Sequence, residues 1–473
     1  MLDDMLDSLQ QIRQRPVWQP ADEAVRQLFL SGLPADGAEL PDLHDEFMQN
    51  ILPYAVGNRH PGFMGWVHGG STPVGMLAEM LAAGLNANVG GRNQIPLEVE
   101  RQVIGWMRKL FGFPAGASGV LTTGTSAATL IALITARNVA LGEHPVASDG
   151  MMNSDIRLAA YASEEVHGCV GRAISMIGLG SGILRRIPCN HQHQIDLMAL
   201  QQQIDMDRAS GVTPWLVVGS AGTVNTGAID DLNGLAAIAR SCGAWFHVDG
   251  AFGALAMLAP EITPRLQGIQ SADSLAMDFH KWGQAPYDAG MVLMRDGEQH
   301  RRNFATADAY LQRETEGLAA NSPWPCDYGI ELSRGFRALK VWFTFKSFGS
   351  DRIGAMISHC CRLAQALAAR VEMEAELEMM AEVSLNIVCF RYSGDQSLAD
   401  AQYDSLNRAI IRHIQLSGTA APSLTRIGGR AVIRAAVVNH RTRMQDIDRL
   451  IDATLDAAHT CHSEPTGVNR EFN

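Results

Sequence analysis

The chain has 473 residues, 47% of them apolar and 19% charged, and its 38 Lys and Arg against 50 Asp and Glu leave a net charge of −12. This balance belongs to a globular protein with a sizeable core and excludes a disordered, collagen-like or coiled-coil chain. The acidic excess argues against nucleic acid or an anionic membrane as a partner, since both select clustered Lys and Arg.

No apolar run approaches the ~20 residues of a spanning helix, and the acidic start Met1-Leu2-Asp3-Asp4 lacks the basic beginning of a secretory signal. Of eight cysteines only Cys360 and Cys361 are close together, and no CxxC occurs. A disulfide framework or zinc ribbon is therefore not expected, and reduced thiols in the cytoplasm are.

In chain order, Leu2, Met5, Leu6, Leu9 and Ile12 recur at helical spacing. They open a series of short predicted helices punctuated by Pro16, Pro20, Pro34, Pro41 and Pro53. Segments this small cannot bury their apolar faces alone, so residues 1–85 are expected to pack on the main body or on a dimer partner. From about Gly119, apolar strands alternate with helices. Val120-Leu121-Thr122-Thr123 precedes a helix through Ala127–Ala140, and Leu158-Ala159-Ala160-Tyr161 precedes Val166–Met176. Trp215–Val218 leads to Leu232–Ser241, followed by Trp245–Val248, Ser274–Met277 and Met291–Met294. Such strands imply a large, mostly parallel α/β domain over residues 86–350, with ligands beyond the carboxyl ends of the strands. A helix from Ile353 to about Met373, strands at Asn386–Phe390 and Ala431–Val437, and a last helix at Gln445–Ala458 predict a smaller α+β domain over residues 351–473. Its polar tail beyond Cys461 is expected to fray.

Two strand-end residues carry the chemistry. Asp249 closes Phe246-His247-Val248, and Lys281 follows 32 positions later in Asp278-Phe279-His280-Lys281-Trp282. An aspartate there can hold a pyridinium nitrogen protonated, and a neighbouring lysine can bond an aldehyde. The pair suits pyridoxal phosphate, although spacing alone fits a strand-end ion pair equally well. The strand-to-helix turn Thr122-Thr123-Gly124-Thr125-Ser126-Ala127-Ala128-Thr129 adds small residues, hydroxyls and a helix N-terminus suited to a phosphate.

With these residues the chain, from about Pro16 to Leu455, resembles the group II pyridoxal-phosphate-dependent decarboxylases, which include the aromatic amino acid, glutamate and cysteine sulfinate decarboxylases. The His280-Lys281-Trp282 context is the most specific element. The resemblance implies a fold-type-I, transferase-like α/β architecture and a homodimer with a shared active site. It implies decarboxylation of an L-amino acid, aromatic first and acidic or polar second, to the amine and carbon dioxide. By it, Lys281 is the cofactor lysine, Asp249 the partner of the ring nitrogen, Ala251 lies under the ring and His167 stacks on it. Gly124, Thr125 and Ser126 hold the phosphate, and Thr223 and His280 are further cofactor contacts. Arg434 resembles an arginine that binds a substrate carboxylate, with Asn88 and Arg92 also on the substrate side. Tyr328 resembles the mobile-loop tyrosine that protonates the carbanion, with Tyr310 as the alternative.

Two departures stand out. Asp278 occupies a position where the family commonly has asparagine, and the polar, glycine-rich Asn86–Asn93 segment falls where aromatic-specific members place bulky apolar residues. Rival readings are an aldehyde synthase, which loss of the loop proton donor would favour, and a non-catalytic protein on the same fold, which Lys281, Asp249 and His167 argue against. Gly178-Leu179-Gly180-Ser181-Gly182 has the wrong spacing for a dinucleotide fingerprint and reads as a turn. Cys189, His191 and His193 lack a second ligand pair, so no metal is expected; the methionines read as core filler.

Overall fold

The computed structural model describes residues 1–142, 149–151, 156–305, 313–394 and 398–463; Tyr310 and the tail beyond 463 lie outside them. The chain divides into two compact units, residues 71–359 and residues 1–70 with 360–473.

The larger unit is built on seven strands: β1 (Ser118–Thr122), β2 (Leu158–Ser163), β3 (Leu184–Ile187), β4 (Thr213–Ser220), β5 (Trp245–Asp249), β6 (Ser274–Asp278) and β7 (Gly290–Met294). Their order is β1-β7-β6-β5-β4-β2-β3. Strands β3, β2, β4, β5 and β6 pair in parallel, whereas β7 runs antiparallel to both β6 and β1. Every residue of β2, β5, β6 and β7 is buried, which is why their sequences are continuous apolar runs rather than alternating ones. The mostly parallel sheet agrees with the expected α/β class. Because β7 is the one reversed strand, β1, β2, β4, β5 and β6 all end at one edge of the sheet. The polar residues that close them, Thr122, Ser163, Ser220, Asp249 and Asp278, are gathered there.

β3 escapes the sequence pattern because its two arginines mask an edge strand; Arg185 pairs with Asp207 at 3.0 Å, a charged edge of the kind that discourages further pairing. The helix Pro73–Leu85, grouped by its sequence with the N-terminal segment, belongs to the larger unit. Gly75 sits so close to Pro286 that a Cβ would lie 2.4 Å from its Cδ, and Glu79 pairs with the buried Lys340 at 2.7 Å. The helical segment Arg337–Met373 is two helices, and the second, after Gly349, is the one expected from Ile353. Gly349, at φ 74° and ψ 159°, is not helical and separates that helix from a shorter one that opens at Arg337.

The smaller unit holds an antiparallel sheet, β10-β11-β9-β8, made of β8 (Leu377–Met379), β9 (Ile387–Tyr392), β10 (Ser423–Ile427) and β11 (Arg430–Ala436). The N-terminal segment is tied into it. Val17 N–H donates to the Gly418 carbonyl at 2.8 Å, Arg13 pairs with the buried Asp446 at 2.8 Å, and Phe63 bridges Ala421. Among the described residues no helix is long and apolar enough to cross a membrane.

Inside the larger unit, Arg334 and Glu100 form a bidentate ion pair (2.7 and 3.0 Å) with both side chains 2% exposed. Arg334 also donates to the carbonyls of Val89 and Leu121, and Glu100 accepts the Leu121 N–H. The pair thus locks the last residues of β1 to two loops. Glu100→Ala strands a buried guanidinium and is expected to cost about 3–5 kcal/mol, as is Arg334→Met, whereas the double variant Glu100→Leu/Arg334→Met recovers most of the loss. Urea unfolding of the three variants checks this; single variants within about 0.5 kcal/mol of the parent would show that the clamp is dispensable.

Candidate active site

Lys281 lies in the turn that follows β6. Its Nζ is 3.0 Å from Asp278 Oδ2, and its side chain keeps 23% of its exposure. Asp278, the last residue of β6, is buried, and its other oxygen accepts the Thr125 N–H at 2.7 Å. One carboxylate therefore joins the lysine to the first residue of the helix Thr125–Ala140. At this turn Thr125 Oγ1 is buried with no hydrogen-bond partner among the described residues, while Ser126 is exposed. Gly290 opens β7 directly behind the turn. A Cβ there would fall 2.4 Å from Gly124 Cα and 2.8 Å from Asp278 Oδ1, so only glycine permits this approach.

Asp249 ends β5, next to β6 in the sheet. Its Oδ1 accepts the Ala251 N–H at 3.2 Å. Burial pushes its carboxyl above the ordinary 3.8, and the charges of Lys281 and His167 pull it back. A buried carboxylate of this kind is short of one positive partner, which a protonated ring nitrogen would supply. His167 is the N-cap of the helix Gly168–Met176, its Nδ1 accepting the Cys169 N–H at 3.2 Å. That bond places the proton of the neutral ring on Nε2 and fixes the ring, which is exposed at the helix start. Thr223 is buried in the loop after β4, its hydroxyl 3.0 Å from Thr226 Oγ1 and accepting the Ala228 N–H at 3.1 Å.

His280 is buried, and desolvation lowers its pKa. Its Nδ1 accepts the Ala289 N–H at 3.0 Å, its Nε2 faces Asp278 Oδ2 at 3.7 Å, and its ring lies 4.2 Å from that of Tyr287. The orphaned Thr125 hydroxyl, the glycine-lined turn, the buried Asp249 and the accessible Lys281 amine fit pyridoxal phosphate. Thr125 and its turn would take the phosphate, Asp249 the ring nitrogen and Lys281 the aldehyde.

Other expected residues have different surroundings. Asn88 Oδ1 accepts the N–H groups of Gly90 and Arg334, and Arg92 covers Trp324, 4.9 Å from its ring centre. The glycines between them have a packing reason. A Cβ at Gly90 would fall 1.7 Å from the Leu332 carbonyl oxygen, and one at Gly91 would fall 2.6 Å from Trp324. Tyr328 packs on His300, with ring centres 5.1 Å apart, and on the apolar cluster that includes Val120, Ala128 and Ile131. Burial raises its phenol pKa. Arg434 lies on β11 in the smaller unit, buried, donating to the Gly65 carbonyl at 2.6 Å and to Ser423 Oγ at 3.3 Å. Sequence reasoning missed Gly290 and the double contact of Asp278; the only signal for the second was its departure from asparagine.

The family described as the pyridoxal-dependent decarboxylase conserved domain matches residues 23–393. An aromatic-L-amino-acid decarboxylase of Bacillus atrophaeus is 32% identical over 94% of this chain and 91% of its own length. A histidine decarboxylase of Drosophila melanogaster is 29% identical over 94% of this chain and 53% of its own. The solved structure of Oryza sativa TDC with PLP and tryptamine superposes with a TM-score of 0.89 at 22% identity, covering 97% of this chain and 96% of that one. The chain therefore belongs to the pyridoxal-dependent decarboxylase family, as a pyridoxal-phosphate-dependent amino acid carboxy-lyase.

Proposed function

We propose that the enzyme converts an aromatic L-amino acid to its amine and carbon dioxide, and that it works as a cytoplasmic homodimer. The observation that carries the chemistry is the accessible Lys281 amine held by the buried Asp278, with the buried Asp249 on the next strand and the Thr125 turn bonded to Asp278. The aromatic substrate is supported by likeness to the Bacillus atrophaeus enzyme. The polar, glycine-rich 86–93 segment does not weigh against it, because close packing on Trp324 and Leu332 accounts for its glycines. A dimer is supported by apolar side chains left in water over residues 28–43, where Leu30 is 72% and Leu33 97% exposed; such a patch calls for a cover. The cysteine spacing supports a reducing compartment.

When bound, pyridoxal phosphate supplies the electron sink that lets a carboxylate leave an amino acid. The chain contributes the rest. Asp249 holds a proton at the ring nitrogen through a charge-assisted hydrogen bond in a low-dielectric site. His167, pinned through Nδ1, presents a ring of fixed orientation. Lys281, with its amine held by Asp278 and still reachable, would hold the cofactor aldehyde.

Tyr328 is assigned as the acid that returns a proton to the substrate carbon, its raised pKa keeping the phenol protonated. The packing of its ring on His300 favours a second reading in which Tyr310 has this role. Tyr328→Phe and Tyr310→Phe separate the two. The variant that loses the donor makes less amine and takes up oxygen, yielding aldehyde, ammonia and peroxide; the other leaves the products unchanged.

Release of carbon dioxide from the standard amino acids, histidine and glutamate included, tests the substrate. The highest kcat/KM is expected for an aromatic amino acid. Preference for glutamate or another acidic substrate by about tenfold or more would overturn it.

A further inference from the structure

The residue that binds both the cofactor lysine and the phosphate turn is an anion. Asp278 Oδ1 takes the Thr125 N–H at 2.7 Å, a donor that a phosphate at this helix start would use, and Oδ2 takes the Lys281 ammonium at 3.0 Å. His280 Nε2 stands 3.7 Å away, and Gly290 closes the remaining side, its position leaving no room for a side chain against Asp278 Oδ1. Asp278 is 2% exposed, so water does not screen it. Before loading, the carboxylate is compensated by Lys281. A phosphate at the Thr125 turn would be a second anion, drawing on the same N–H and on the same counter-charge at Lys281. Two like charges then meet in a buried place, where their repulsion is strongest.

We propose that Asp278 is a built-in competitor of the cofactor's phosphate, weakening the hold on the phosphorylated cofactor and making it exchangeable. Asparagine has the same shape and can still accept the Thr125 N–H, but it carries no charge. The proposal rests on the cofactor reading above, and unphosphorylated pyridoxal separates the two.

Cofactor-free parent and Asp278→Asn are titrated with pyridoxal phosphate and with pyridoxal, followed by the absorbance of the bound aldehyde. Whatever bonding an aldehyde does to the Lys281–Asp278 pair is common to both aldehydes, and comparing variants cancels each aldehyde's own solution chemistry. The ratio of the two affinities therefore isolates the phosphate. In Asp278→Asn it is expected to shift toward pyridoxal phosphate by about tenfold or more. Asp278→Ser, which removes the charge by a different side chain, should move it in the same direction. A ratio within about twofold of the parent, or a shift toward pyridoxal, would overturn the proposal. A shift in the asparagine variant alone would also overturn it, by tracing the effect to an amide contact instead of to charge. Failure of both aldehydes to bind the parent at Lys281 would instead refute the cofactor reading.

Discussion

Lys281→Ala is expected to fold and to lose amino acid decarboxylation by roughly a thousandfold or more, since removing one member of a catalytic unit costs most of its effect. The lysine sits in a turn outside the buried strands, and its removal leaves the β5–β6–β7 packing intact. The variant does leave Asp278 buried without its counter-ion, with the Thr125 N–H as a remaining bond. A loss of about 1–3 kcal/mol is expected from this, short of unfolding. Circular dichroism and turnover of the best substrate check the two halves. A variant that folds and keeps a tenth of parental activity would remove Lys281 from the chemistry.

Asp249→Asn carries the second large effect, a fall in turnover of roughly a hundredfold or more with far smaller loss of cofactor binding. The amide keeps the Ala251 N–H bond but cannot hold a proton at the ring nitrogen. Stability moves the other way. Burial raises the Asp249 carboxyl above 3.8 in the folded chain, so between 3.8 and that raised value the folded state keeps a proton the unfolded state has lost. Stability of the cofactor-free parent therefore falls as pH rises through this window, and the component is absent from Asp249→Asn. At neutral pH the cofactor-free variant is expected to melt above the parent, as when a buried charge is kept for function at a cost in stability. Near-parental turnover, or a variant that melts below the parent throughout, would make Asp249 a structural ion-pair partner.

How much of this was legible depends on distance along the chain. Asp249 closes an apolar run and Lys281 follows another by a short turn, so the strand pattern itself placed them at the ends of strands, and the Thr122–Thr129 turn was readable by the same rule. His167 was readable as a helix start, and the structure adds the Cys169 N–H that fixes its ring. The Glu100–Arg334 clamp was not readable, because its partners are 234 positions apart and each alone looks like a surface charge. Gly290 was hidden for a related reason: what it must avoid, Gly124 and Asp278, is brought to it only by the sheet. The close packing of Gly90 and Gly91 against Leu332 and Trp324 was likewise out of reach of the sequence. Short strands failed where exposed or charged residues interrupt them, as in β3 and β10, with Arg185 and Arg186 in one and Leu424 and Arg426 in the other.

Mapping the lysine that carries the cofactor tests the central claim most directly. Borohydride reduction of the loaded enzyme, followed by digestion and mass spectrometry, is expected to leave a pyridoxyl group on the peptide containing His280-Lys281-Trp282 and to leave Lys281→Ala unlabelled. A pyridoxyl group found instead on Lys340, which pairs with Glu79, or on Lys346, which lies over Trp342, would contradict the account.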